Sequence, residues 1–269
     1  MNAATASYLE LSYGRVAIAA ALVLVNALLS VALSLGIERR LLIAATRTVV
    51  QLLMVGLILE WVFTLDRWYA VAAVALVMML AAGRAAVSNV SRRYPGIWFD
   101  GLLAMGLSSW SITILALAAI VRPEPWFQPQ YSIPLLGMML GNSLNGVSLG
   151  LERLGEELSS KRQQIDGYLA LGASRWEAAS EPVRAAIRTG LVPITNSMMV
   201  VGIVSLPGMM TGQLLAGTAP VEAVKYQVMI MFLIATATAL GTVTVVLLAF
   251  RRLFNTSHQF LRQRLIKRN

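Results

Sequence analysis

The stretch Glu152–Gly190, with Leu169-Ala-Leu-Gly-Ala-Ser-Arg-Trp-Glu-Ala-Ala179 at its centre, is the one long polar interruption in an otherwise apolar chain. Five apolar segments precede it and two follow. If those segments cross a bilayer, the stretch is the one extended surface that an apolar membrane chain can offer to a soluble partner. The side of the membrane on which it lies is then the first thing to establish.

Composition places the chain in the membrane class. Of its 269 residues 57% are hydrophobic and only 13% charged, and the mean hydropathy is +0.69. A span of the hydrocarbon core needs about 20 residues at about 1.5 Å each. Seven segments satisfy this: Val16–Gly36, Leu41–Phe63, Trp68–Val90, Trp98–Val121, Tyr131–Leu151, Leu191–Leu215 and Tyr226–Phe250. The expected fold is therefore all-α, a single transmembrane domain over residues 1–269 with about seven transmembrane helices. Trp61, Trp68, Trp98 and Trp126 stand at span ends, where an amphipathic ring prefers the headgroup level. The first span runs too long for a signal-peptide core and lacks a basic leader, so it reads as retained.

The net charge of +9 is distributed by side. Seven spans put alternate loops on opposite faces, and one set of loops holds 17 of the 22 Lys and Arg residues. The other set holds Arg15, Arg67, Arg122 and Lys225, and Arg47 lies inside a span. That asymmetry predicts an extracytoplasmic N-terminus, a cytoplasmic C-terminus, and a cytoplasmic segment 152–190 between the fifth and sixth spans. The basicity thus reports topology and not a nucleic-acid partner, and the tail 251–269 is suited to anionic headgroups. Cysteine is absent and His258 is the only histidine, so disulfides and Cys/His metal clusters are excluded.

Within the interruption, Glu152–Asp166 is rich in helix formers and reads as the fifth helix continuing into the cytoplasm. Ser174 with Glu177 three residues on has the spacing of a capping box, which predicts a short helix Arg175–Ser180. Pro182 is expected to restart the helix that returns to the membrane. Such a helix has two readings: it lies on the headgroups, or it docks a partner. Its pattern resembles in part the coupling segment of importer permeases of the ABC class. The Glu-Ala-Ala positions of that class would fall on Asp166, Gly167 and Tyr168, and Val192-Pro193 comes too late for its Leu-Pro pair.

A closer resemblance runs from about Arg40 to His258. Val204-Ser-Leu-Pro-Gly-Met-Met-Thr-Gly212, Pro220-Val-Glu-Ala-Val-Lys-Tyr-Gln227, Gly137-Met-Met-Leu-Gly-Asn142 and Leu171-Gly-Ala-Ser174 are similar to strings of the FetB-type permeases. That family comprises bacterial iron-export ABC permeases, with plant relatives acting in aluminium tolerance. The resemblance implies a permease in the bacterial inner membrane that exports iron or a related metal. It further implies two copies of the chain working with two ABC ATP-binding subunits, with ATP and Mg bound by the partner and no cofactor on this chain. Gly172, Ala173, Ser174, Arg175, Trp176 and Glu177 would then form the ATPase-coupling surface. The residues agree with that division of labour, because the chain lacks the Gly-x-x-x-x-Gly-Lys-Ser/Thr loop that cradles a triphosphate. It also lacks His-Glu-x-x-His and Gly-x-Ser-x-Gly, so it is read as a transport subunit and not an enzyme.

Two methionine strings repeat, Gly137-Met-Met-Leu-Gly-Asn-Ser-Leu144 and Gly208-Met-Met-Thr-Gly-Gln-Leu-Leu215. Each contains the Gly-x-x-x-Gly spacing that lets membrane helices approach, which gives a packing reading. The alternative reading is a substrate path lined by Met138, Met139, Asn142, Asn145, Met209, Met210 and Gln213. Thioethers favour Cu(I) over hard cations, and the pattern fixes no metal site. Polar residues inside spans cost at least about 2.5 kcal/mol for a charge at the centre. Arg47, Gln51, Glu60 and Asp100 are the candidates here, with an Arg84–Asp100 ion pair as the structural alternative. The competing class of function, a stand-alone secondary carrier or channel, needs an intramembrane acidic pair or inverted repeats. Only the short methionine repeat hints at symmetry.

Overall fold

The computed structural model describes residues 12–65, 67–88 and 90–267. Residues 1–11, which carry the expected extracytoplasmic end, Asp66, Asn89 and the last two residues of the basic tail lie outside the described residues. The elements in chain order are α1 (Tyr13–Ala32), α2 (Glu38–Leu65), α3 (Trp68–Ser88), β1 (Arg92–Arg93) and α4 (Ile97–Leu115), which a π-helical turn extends to Val121. They continue with α5 (Pro129–Ser160), α6 (Arg162–Ala170), α7 (Arg175–Val200), α8 (Gly208–Leu215), α9 (Pro220–Leu253) and β2 (Ile266–Lys267).

Among the described residues five helical stretches are long and apolar enough to cross a membrane: Gly14–Ala32, Glu38–Leu65, Trp68–Ser88, Ile97–Val121 and Pro220–Leu253. The chain is thus a multi-pass, all-α membrane protein. α5 and α7 are as long, at 32 and 26 residues, but each joins an apolar half to a charged half. The expected span Leu191–Leu215 is not one helix. It comprises the end of α7, a turn over 201–207 and the short α8. The turn is held by Gly202 at φ 83° and by the Gly202 N–H donating to the Ser205 carbonyl at 2.9 Å.

The interruption also differs from its expected form. The short helix between two long ones is α6, not Arg175–Ser180, and α7 runs unbroken through Pro182 and Pro193. A proline removes one N–H and one ladder bond. The surrounding Ala178, Ala179, Ala185 and Ala186 are strong helix formers that carry the helix past Pro182.

α5 is the central helix, packed against α3, α4, α7 and α9. Its contact with α7 and α9 depends on glycine: a Cβ on Gly146 would stand 2.5 Å from Thr242 Oγ1, and one on Gly190 would stand 2.6 Å from the Gly146 carbonyl. Small residues here let three helices meet at backbone distance. Gly150, one turn on, meets the side chains of Thr242 and Val246 in the same way. By contrast no neighbour stands within 4 Å of a Cβ placed on Gly141 or Gly208.

The loops that hold most of the basic residues converge at one end of the bundle. Ser91 N–H donates to the Glu152 carboxylate at 2.7 Å, and Arg92 donates to the Gly155 carbonyl. The tail folds back over this end, with β2 pairing antiparallel with β1. Trp176, Phe250, Phe254 and Phe260 follow one another in ring contact, with centroids 5.6, 5.1 and 5.0 Å apart. The tail is therefore an ordered cap on the helix ends.

Candidate transport cavity and coupling surface

At the end opposite the cap, α5, α7, α8, α9 and the 201–207 turn enclose a cavity of about 410 Å³. Its polar lining comes from Asn142 on α5, Ser197 on α7, Ser205 in the turn and Gln227 on α9, and its sulfur lining from Met138, Met209 and Met231. Met138 and Asn142 share a face of α5 because they are four residues apart, and the Asn142 amide donates to the Met138 carbonyl at 2.9 Å. A second cavity of about 330 Å³ adjoins the first, lined by Met198, Met210, Leu206, Val224, Val228 and Phe232. Val201, Gln227 and Met231 line both.

The structure thus brings Met138, Asn142 and Met209 together and places Met210 in the adjoining cavity. Three other path candidates stand elsewhere. Met139 is buried in the α4–α5–α9 core, Asn145 is exposed, and Gln213 is half-buried and lines neither cavity. Sequence reasoning missed Gln227, Ser197, Ser205 and Met231. Of these, Gln227 carries a signal in the sequence, a carboxamide at the start of an apolar span. Among the described residues no group of three or more His, Cys, Asp or Glu is arranged to hold a metal ion.

Of the intramembrane polar candidates, Arg47, Gln51 and Glu60 all lie exposed on α2, whose single buried residue is Val62. Asp100 is buried, and its partner is Arg252, not the exposed Arg84. Arg252 Nε donates to Oδ1 at 2.8 Å and to Oδ2 at 2.6 Å. Gly96, at φ 88°, leaves room for that guanidinium, since a Cβ there would stand 2.8 Å from Arg252 Cζ.

At the capped end, Gly172 adopts φ 91° in the turn between α6 and α7, a conformation that only glycine takes without strain. The Ser174–Glu177 capping box is formed as the spacing predicts. The Ser174 hydroxyl accepts from the Glu177 N–H at 3.3 Å, and the Glu177 carboxylate accepts from the Ser174 N–H at 2.8 Å. The Ser174 hydroxyl also donates to that carboxylate at 2.7 Å, and this bond, with the one from the Ser174 N–H, holds the Glu177 carboxyl below the usual carboxylate range. The Arg175 N–H donates to His258 Nδ1 at 2.9 Å, and its guanidinium donates to the Asn255 carbonyl at 3.3 Å. Gly172, Ala173, Asp166 and Leu169 form one wall of a cleft of about 470 Å³, and Ser257, His258, Gln259 and Phe260 form the other. Trp176 is not a free side chain, because its ring packs edge-on against Phe250.

The profile of the uncharacterised protein family UPF0014 matches residues 13–254. The chain is 41% identical over 227 residues to the UPF0014 membrane protein slr1647 of Synechocystis, covering 84% of this chain and 88% of the relative. It is 33% identical to the probable iron export permease protein FetB of Escherichia coli, covering 94% and 96% of the two chains. It is 28% identical to the protein ALUMINUM SENSITIVE 3 of Arabidopsis thaliana, covering 91% and 89%. No solved structure matches.

Proposed function

This chain belongs to the UPF0014 family of membrane proteins, and from that premise we propose that it is the permease subunit of an ATP-driven exporter of iron or a related metal. It spans the bacterial inner membrane seven times, with the N-terminus outside and the capped end in the cytoplasm. Two copies work with two ABC ATP-binding subunits that dock on the surface around Gly172–Glu177. The name of the Escherichia coli relative supports the cargo and direction.

The observation that carries this reading is the joining of the two sites by two helices. α7 begins at the capping box and ends at Ser197 and Val201 in the cavity wall. α9 lines the same cavity with Gln227 and meets Trp176 through Phe250. Residues 175–197 of a helix span about 33 Å at about 1.5 Å per residue. A push on the α6–α7 turn thus has a rigid path to the cavity. Such a device is required, because moving a divalent cation outward costs about 4.6 kcal/mol per 100 mV of negative-inside potential.

Leu171 is 87% exposed at the tip of this turn, so replacing it costs no packing. Leu171→Asp is expected to abolish co-purification with the ATP-binding subunit and ATP-dependent metal efflux from vesicles, with the melting temperature unchanged. Efflux by the purified chain in liposomes without ATP or partner would instead establish a stand-alone carrier or channel.

A further inference from the structure

Gln227 is 6% exposed, and its Oε1 has no hydrogen-bond partner. Native proteins leave few buried polar groups unpaired, and each exception asks for an explanation. This one stands in the wall between two cavities, one partly polar and one almost wholly apolar. Met231 is four residues on, so its thioether shares that face of α9.

The donors around the first cavity are all neutral: two carboxamides, two hydroxyls and three thioethers. Hard cations such as Mg²⁺ and Ca²⁺ are bound through several oxygens, carboxylates prominent among them. Thioethers favour softer ions. Neutral donors also hold an ion weakly, and conduction needs binding firm enough for entry but weak enough for release. Resting on the export reading above, we propose that this cavity is a charge-neutral transit site for a soft or borderline transition-metal cation. In it the thioethers of Met138, Met209 and Met231 and the lack of a carboxylate select such an ion against hard cations, and the carboxamide oxygens of Gln227 and Asn142 supply its neutral oxygen ligands.

The test uses the full chain in lipid nanodiscs with Co²⁺ as probe and Mg²⁺ as the hard control, followed by calorimetry and thermal unfolding. The native chain is expected to bind Co²⁺ with no competition from a large excess of Mg²⁺. Gln227→Leu should weaken Co²⁺ binding by about tenfold or more, the scale on which even an outer-shell partner tunes metal affinity. The melting temperature should not fall, because the lost oxygen makes no bond within the protein. Gln227→Glu should tighten Co²⁺ and admit Mg²⁺. Native affinity in Gln227→Leu, a lowered melting temperature explaining its loss, or equal competition by Mg²⁺ in the native chain would overturn the assignment. The two readings fail separately. ATP-coupled efflux that survives Gln227→Leu unchanged removes the site and leaves the exporter, whereas Co²⁺ binding with no ATP-dependent efflux when an ABC ATP-binding subunit is supplied leaves the site and removes the exporter.

Discussion

Asp100 shows how one residue fastens the capped end of the bundle. Its carboxylate is buried at the start of α4, and among the described residues the only cation that forms an ion pair with it comes from the last turn of α9. Removing one member of a buried pair leaves the other charge without compensation, at about 3–5 kcal/mol. Arg252 is 41% exposed, so the lower end of that range applies. Asp100→Asn and Arg252→Ala are each expected to lower stability by about 3 kcal/mol in denaturant unfolding. The Asp100→Leu, Arg252→Met double variant should recover most of the loss. Burial pushes the neighbouring Tyr94 phenol well above its ordinary range, and the Asp100 charge adds to the effect. The phenol therefore stays protonated at any pH used in a transport assay. The hydropathy of residues 98–121 singles out Asp100 as anomalous, but nothing in the sequence points to a partner 152 residues away.

At the scale of elements, the start of α7 was legible and its course was not. A capping box is written in four consecutive residues, so Ser174 and Glu177 declare it without tertiary help. Ser174→Ala should cost about 1 kcal/mol and speed amide exchange over the first turn of α7. The pH dependence follows from the lowered Glu177 pKa. A carboxyl depressed by folding stabilises fully above its unfolded pKa and loses that contribution as pH falls through the folded value. The cap should therefore hold unchanged through neutral pH and loosen only below the ordinary carboxylate range. Glu177→Gln should remove that acid transition from the exchange profile. The uninterrupted passage of α7 through Pro182 was hidden because the cost of an interior proline depends on the helices packed around it. The break at 201–207 was half-visible: Gly202 and Pro207 marked a disturbance, and the structure makes it a turn that builds the cavity wall.

At the scale of the whole molecule, α2 packs on the bundle through its C-terminal end around Val62, and no residue of its apolar window is buried. Lipid can cover leucines, but an arginine facing hydrocarbon costs about 2.5–3.5 kcal/mol. The exposed Arg47 and Gln51, one turn apart, are therefore the residues expected to face a second copy. The chain has no cysteine, so a single introduced thiol reports on this directly. Gln51→Cys should form an oxidant-induced dimer in native membranes, and Leu53→Cys, about 200° around the helix at 3.6 residues per turn, should not. Equal cross-linking at both positions, or at neither, would overturn a second copy on this face.

Membrane class, the gathering of basic loops at one end, the capping box and the shared face of Met138 and Asn142 followed from the sequence by itself. Each is set by composition or by neighbours within one helical turn, where hydropathy and periodicity act without knowledge of the fold. The Asp100–Arg252 pair, the His258 contact to the start of α7, the folding of the tail into a cap and the cavity around Gln227 were decided only by the tertiary structure. Their partners lie 83 to 152 residues apart or on separate helices. Which face of an apolar helix meets protein and which meets lipid is set by packing geometry, because in a membrane both faces are apolar.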